Sequence, residues 1–175
     1  MKQVRTSQHG ARSQRGAVGI EFAFLFTIFF GVFYAILSYA FITLLQQGLL
    51  QASAEGARAA VQVDRTAFGS IAQYKAACER LARDTVLKNI SWMPASAKAS
   101  ITGTSGITFN WVNTNVAIVT GDGVKNVLGV TLTAKVVYTN YAASPMLPLL
   151  TLPGLGTIPN VPTDLVGASS VHVTF

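Results

Sequence analysis

A chain of 175 residues, half of them hydrophobic and 11% charged, has room for one membrane segment and one small domain but not for a second core. Its formal net charge of +6 does not describe a nucleic-acid surface: Lys2, Arg5, Arg12 and Arg15 all precede the first acid, Glu21, and without residues 1–16 the balance falls to +2. There is no stripe of Lys or Arg with interleaved aromatics, and seven acids are poor material for paired-carboxylate catalysis.

The first 16 residues form a short basic flank rich in Ser, Gln and Gly, of the kind that stays on the cytoplasmic side of a membrane. From Gly16 to Leu50 the chain is almost wholly apolar and carries one charge, Glu21. Phe22 to Leu45 contains only Thr27, Ser38 and Thr43 as polar members, and roughly 20 helical residues cross about 30 Å of hydrocarbon. Val, Ile and aromatics would also suit a strand, but a lone segment in lipid must satisfy its own backbone hydrogen bonds, and only a helix does so. Gly31, Ser38 and Gly48 interrupt the segment at wide spacing and form no strict small-xxx-small motif. Ala52-Ser53-Ala54 has the form of a signal-peptidase site, yet the apolar run before it is too long for a secretory signal, so these read as small residues on a helix face.

Glu21, at the front edge of the span, has two readings. It is either a first-turn acid in the headgroup region, favoured by the helix dipole, or a buried-side carboxylate that waits for a positive group from another chain. Beyond Leu50, Gln51, Glu55 and Arg58 punctuate an alanine-rich stretch of high helix propensity that continues to about Val63. Gly48 and Gly56 are soft points in it, and Glu55 with Arg58, spaced i, i+3, reads as a solvated pair on the helix surface.

The run Arg15-Gly16-Ala17-Val18-Gly19-Ile20-Glu21-Phe22 resembles the cleavage site of a type IV-type prepilin: a basic leader, a glycine, a hydrophobic helix and a glutamate five positions after the glycine. Glu21-Phe22 resembles the tight-adherence (Tad, or Flp) branch, and Gln51-Ala52-Ser53-Ala54-Glu55-Gly56-Ala57-Arg58-Ala59-Ala60 is similar to the corresponding run of TadE-like pseudopilins. The resemblance implies that a prepilin peptidase cuts between Gly16 and Ala17, leaving Glu21 as the fifth residue of the mature chain. It also implies a membrane-held pilin-like protein whose partners are that peptidase, other pilin or pseudopilin subunits and the Tad-type secretion machinery. Glu21 and Phe22 are then assembly residues, and Glu55, Gly56 and Arg58 a family-like helix motif. Phe22 stands where major Flp pilins are expected to carry tyrosine, and the domain is larger than theirs; both departures imply a minor component.

In the remainder, Asp64 or Thr66 is placed to cap a second helix of about 20 residues, with Ile71, Tyr74, Cys78, Leu81 and Thr85 on one face. Cys78, the single cysteine, reads as a small core residue. Met93-Pro94 is expected to end the helical region, with Ser91-Trp92 plugging the edge of the core. From about Lys98 the pattern is β: Ile107 to Val112, Val116 to Thr120, a turn over Thr120-Gly121-Asp122-Gly123, and a long strand from Val127 to Tyr141. Val130, Leu132, Ala134, Val136 and Tyr138 share its dry face, which predicts an antiparallel sheet covered on one side by helices. Pro145, Pro148, Pro153, Pro159 and Pro162 exclude a central strand there; the Leu-rich loop lies against membrane or another subunit, or folds over the sheet. Leu165 to Phe175 returns to alternation, with Val171 and Val173 together.

The expected fold class is α+β, pilin-like: a leader over 1–16, a long helix over 17–63, and a periplasmic domain over 64–175 containing a second helix and a small antiparallel sheet. The expected location is the bacterial inner membrane, single-pass, with a cytoplasmic N-terminus. No catalytic set is legible. His9 lies in the leader, His172 in the last strand, no Cys/His cluster has metal spacing, and Asp122 lacks the further acids calcium would need. Asp164, Ser169 and His172 have no nucleophile elbow around them. No enzyme activity, cofactor, metal, small-molecule substrate or nucleic acid is expected. The competing reading is an unprocessed single-span protein with a periplasmic scaffold or binding domain; a tethered enzyme would require a buried cluster of titratable groups.

Overall fold

The structure, a computed structural model, describes residues 13–103, 105–120, 123–143, 145–152, 156–158 and 160–174. Most of the basic leader and Gly121-Asp122 of the expected turn therefore lie outside the described residues, as do Pro153, Pro159 and Phe175. The architecture is α+β. Helix α1 runs from Ser13 to Val61, followed by a 3-10 turn at Arg65–Ala67 and helices α2 (Ile71–Asn89) and α3 (Ala95–Thr102). Strands β1 (Ile107–Thr120), β2 (Gly123–Tyr138) and β5 (Leu165–Thr174) form an antiparallel sheet in the order β1-β2-β5; β3 (Leu150–Leu152) and β4 (Gly156–Ile158) pair separately. The chain divides into two compact units, Met1–Ala40 and Phe41–Phe175.

In the first unit α1 is apolar on every side, with Phe22, Phe24, Leu25, Phe26, Ile28 and Phe29 all exposed. An all-apolar exposed helix has lipid or other helices as its solvent, and α1 is long and apolar enough to cross a membrane.

In the second unit α1 buries Ser53, Ala57 and Ala59 toward its C-terminal end and, along its length, a stripe of Ile42, Leu45, Leu49, Ala52 and Ala60. The i, i+3, i+4 spacing puts them on one face. Side-chain size falls along that stripe toward the C-terminus, and the backbone of α2 comes correspondingly close. A Cβ added at Gly56 would stand 2.7 Å from Val86 Cγ2 and 3.1 Å from the Ala82 carbonyl oxygen. The opposing face of α2 is Tyr74, Cys78, Ala82 and Val86. This corrects the expected face: Ile71 and Leu81 are exposed, and Ala82 and Val86 take the places assigned to Leu81 and Thr85.

The capping signals also divide differently. Asp64 caps the 3-10 turn, accepting from the backbone N–H and the hydroxyl of Thr66 at 2.8 Å each, bonds that lower its carboxyl pKa. Ser70 caps α2, accepting from Gln73 N. Pro94 does not end the helical region, because it is the N-cap of α3, a position that needs no helical N–H. Trp92 is exposed, whereas Met93 is buried, so the thioether fills the place expected for the indole.

Alternate residues of β1 face α2. Arg83 donates to the Ile107 carbonyl (3.2 Å) and lies over the Phe109 ring, while Trp111 Nε1 donates to Glu79 Oε1 (2.7 Å) under the ammonium of Lys75. Val130, Leu132, Ala134, Val136 and Tyr138 are buried on β2, as their alternation predicts. β1 and β2 are longer on their shared side than the sequence pattern suggested, pairing from Ile107↔Val136 to Thr120↔Gly123. β5 joins with Leu132↔Val171 and Tyr138↔Leu165. Gly167 lies on the helix backbone: a Cβ there would be 2.3 Å from the carbonyl carbon of Leu49. The proline-rich loop is closed at its neck by Tyr141 N to Thr163 O (2.7 Å) and Asn140 N to Asp164 Oδ1 (2.9 Å), with Asn140 at φ 55°. Met146 and Val161 of this loop pack on the main core, so its ends fold over the domain.

Two predictions follow from this packing. Gly167→Val forces backbone against backbone, and thermal or denaturant unfolding in detergent will show a loss of about 2–3 kcal/mol. The second concerns alkali. Burial, aided by a hydrogen bond with the Cys78 thiol, pushes the Tyr74 phenol from 10.0 up to about 12, and burial raises the Cys78 thiol above 9.0. Raised values favour the protonated groups in the fold, so their contribution is complete below the unfolded values and is lost as pH climbs through the folded ones. Stability measured across pH 8 to 12 will fall at the alkaline end, and Tyr74→Phe will remove the part of the slope between 10.0 and about 12.

Candidate functional site

The residues singled out by sequence fall in two groups, one in each unit. In the first unit Gly16 is helical, within the opening turn of α1, and Ala17 beside it is exposed. N–H groups in a first turn have no intrahelical acceptors and glycine is about 1 kcal/mol poorer than alanine in a helix, so this turn opens at low cost. Glu21 is exposed one turn further on, with Ala17 at i−4 and hence on the same side of the helix. A carboxylate in that position meets whatever surrounds the helix.

Phe22 is the first rung of a ladder. Phe22, Phe26, Phe30 and Tyr34 recur every four residues with centroids 6.0, 6.2 and 6.3 Å apart, and Phe29 stacks on Phe33 at 6.4 Å. The i, i+4 spacing of aromatics is a sequence signal that the reading by hydropathy passed over. So is a second row, Gly19, Ala23, Thr27, Gly31 and Ala35, which has the strict small-xxx-small spacing that Gly31, Ser38 and Gly48 lack. Among the described residues, and apart from the helix's own backbone, nothing lies within 4 Å of where a Cβ would sit on Gly19 or Gly31. Thr27 turns its hydroxyl onto the Ala23 carbonyl oxygen at 2.8 Å, which satisfies the one polar group in the row. Small residues spaced in this way let a second helix approach closely in lipid.

In the second unit Glu55, Gly56 and Arg58 take different tasks. Gly56 is buried where α2 crosses, while Arg58 donates to Glu55 Oε1 at 2.6 Å on the surface of α1. The pair is the solvated i, i+3 contact expected, with the Arg58 side chain 70% exposed. Ala52 and Ser53 of the same run are buried, and Ser53 satisfies its hydroxyl on the Leu50 carbonyl oxygen at 2.8 Å. The run is thus a packing surface for α2 and the sheet. Cys78 is buried beneath it, and His172 is exposed on the outer face of β5, 3.4 Å from the Thr131 hydroxyl. No group of three or more potential metal ligands occurs among the described residues.

The family model described as TadE-like protein matches residues 16–58. No curated protein and no solved structure matches the chain. The matched segment begins at Gly16 and ends at Arg58, so it takes in the apolar half of α1 and most of its buried stripe. The family consists of pilus-associated structural proteins. Residues 16–58 are thus similar to TadE-like proteins, a likeness that supports reading the chain as a Tad/Flp pilus-associated protein.

Proposed function

We propose that the protein is a minor pilin or pseudopilin, processed by a prepilin peptidase between Gly16 and Ala17 and then assembled through its N-terminal helix with other pilin subunits of a Tad-type machine. The observation that carries this reading is the coincidence of three features at one place: the family match starts at residue 16, the apolar part of α1 starts beside it at Ala17, and Glu21 lies one turn further on. On this reading residues 1–16 are the leader, 17–63 the assembly helix and 64–175 the periplasmic domain, with the basic flank holding the N-terminus in the cytoplasm of a bacterium.

Hydrolysis of the Gly16–Ala17 peptide bond adds water across it, releasing a carboxylate on Gly16 and an α-amino group on Ala17. With a pKa near 8 that amine is largely protonated at neutral pH. It becomes the positive group that Glu21 of a neighbouring chain accepts. Between parallel helices such a pairing sets an axial offset of about four residues, roughly 6 Å. The open row at Gly19, Ala23, Thr27 and Gly31 supports close approach of the partner helix. A partly buried pair adds little net stability, but a lone carboxylate in lipid is penalised, so the contact selects register more than it adds strength.

Intact mass and N-terminal sequence of the protein extracted from membranes of cells holding a prepilin peptidase will show a chain starting at Ala17, and Gly16→Asp will abolish that product. A chain beginning at Met1 in both would instead favour the unprocessed single-span scaffold. Glu21→Gln will leave processing intact and reduce cross-linked or co-purified pilin oligomers to background; unchanged oligomers would remove the pairing from the mechanism.

A further inference from the structure

β1 is an edge strand: the sheet runs β1-β2-β5, so β2 flanks β1 on one side only. The pairing is unbroken from Ile107↔Val136 to Thr120↔Gly123, and no bulge turns the edge aside. Val137 N–H donates to the Gly106 carbonyl oxygen (2.7 Å), which makes Ile107↔Val136 a non-hydrogen-bonded pair. Ile107 therefore turns its own N–H and C=O away from β2, and Arg83 takes that carbonyl. The alternation continues along the strand. The backbone groups of Phe109, Trp111, Asn113, Asn115, Ala117 and Val119 also point outward, and among the described residues no hydrogen bond reaches them.

Edges are normally blunted by charge, proline, a bulge or shortness. β1 has none of these: its 14 residues, ITFNWVNTNVAIVT, include no charge, proline or glycine. Its second half is also the thinner part of the sheet. Among the described residues β5 pairs with β2 no further than Gly129↔Thr174, so 115–120 and 123–128 form a two-stranded ribbon, marginal by itself.

The order of residues along β1 indicates what fits this edge. Val112-Asn113-Thr114-Asn115-Val116 reads the same in both directions, and the symmetry extends outward in kind: Trp111 with Ala117, Phe109 with Val119, Thr108 with Thr120. Asn110 with Ile118 is the mismatch. A second, antiparallel β1 centred on Thr114 brings each of these pairs into register. That centre also obeys the ladder, because odd positions meet odd positions and about twelve outward bonds are made, against roughly ten in a typical specific interface. The face of β1 that carries Phe109 and Trp111 continues into the same face of the second copy, and no like charges are opposed. Thr108 opposite Thr120 is the last pair, so Ile107, whose carbonyl Arg83 already occupies, lies outside the contact. At about 3.4 Å per residue and roughly 10 Å of depth, the strip buries about 900 Å² in total, at the low end of specific interfaces.

We propose that β1 is a dimerisation edge at which two copies of the chain pair antiparallel about Thr114, forming one six-stranded sheet in the order β5-β2-β1-β1-β2-β5. Each two-stranded ribbon then lies beside residues 108–113 of the other copy, which belong to its three-stranded part. All residues involved belong to the unit Phe41–Phe175, and the pairing does not require processing at Gly16.

The test uses the full chain in detergent, with the buried Cys78 left in place. Non-hydrogen-bonded neighbours have Cα atoms about 4.5 Å apart, within disulfide range, so Thr114→Cys under mild oxidation is expected to give a dimer that reductant reverses. Val112→Cys sets its two thiols about 14 Å apart and is expected to stay monomeric, as is the unmodified chain. If Thr114→Cys disturbs folding by circular dichroism, Val112→Cys with Val116→Cys reads the same register. Adding Val112→Lys and Val116→Lys to Thr114→Cys opposes lysine to lysine and is expected to abolish the dimer, whereas Val112→Lys with Val116→Glu restores it. A folded Thr114→Cys chain that remains monomeric would overturn the proposal. Equal dimer yields from Thr114→Cys and Val112→Cys, or a dimer indifferent to the charge pairs, would also overturn it and assign the association to another surface.

Discussion

One uninterrupted helix has to serve two solvents, and the rest of the molecule follows from how α1 does so. In lipid a helix must satisfy its own backbone and can expose apolar side chains around its whole surface, as residues 22–37 do apart from Tyr34 and the hydrogen-bonded Thr27. In water it must confine apolar groups to one face and cover that face with other elements. The change occurs within α1 itself, where burial starts on one face at Ile42, Leu45 and Leu49 and broadens over Ala52, Ser53, Ala57, Ala59 and Ala60. No proline marks the transition; glutamines at 46, 47 and 51 and the falling size of the stripe residues mark it.

That stripe sets distances. Leucines at 45 and 49 require room, and the main cluster of Ile90, Met93, Ile101, Val136 and Tyr138 supplies it. Alanine and glycine at 52, 56 and 60 remove the need for room, and α2 and the sheet close in over Tyr74, Cys78, Ala82 and Leu132. At Gly56 against Ala82 and at Gly167 against Leu49 backbone approaches backbone between elements, so a side chain at either would separate layers rather than fill a gap. The Glu55, Gly56 and Arg58 run of the TadE-like segment is explained by this geometry: a glycine to admit α2, flanked by a solvated ion pair that covers the outer side.

The two ends of α1 pose different chemical questions. Around Gly16, Ala17 and Glu21, in the processed form we propose, an amine and a carboxylate are each costly alone in a low-dielectric setting and acceptable together. Around Gly48 the question is steric, because the Trp92 indole occupies the space a side chain would take.

Composition and hydropathy alone determined the span, the helical character of α1, the α+β class and the dry face of β2, because each depends on a local period or on the length of an apolar run. The resemblance of the Gly16 to Phe22 and Gln51 to Ala60 runs to TadE-like proteins was legible in their residues, and the family match takes in both as far as Arg58. Tertiary structure decided which of several apolar stripes on α2 is buried: Ala82 and Val86 win over Leu81 because Gly56 brings the helices too close for leucine at the crossing. It decided that Pro94 starts a helix, since the same residue that breaks one helix caps the next, and that Met93 turns inward while Trp92 turns outward. It also paired β3 with β4 inside a proline-rich loop, where no alternation announces a strand. Periodicity reports that an element has an apolar face; only the partner's shape decides which residues that face contains.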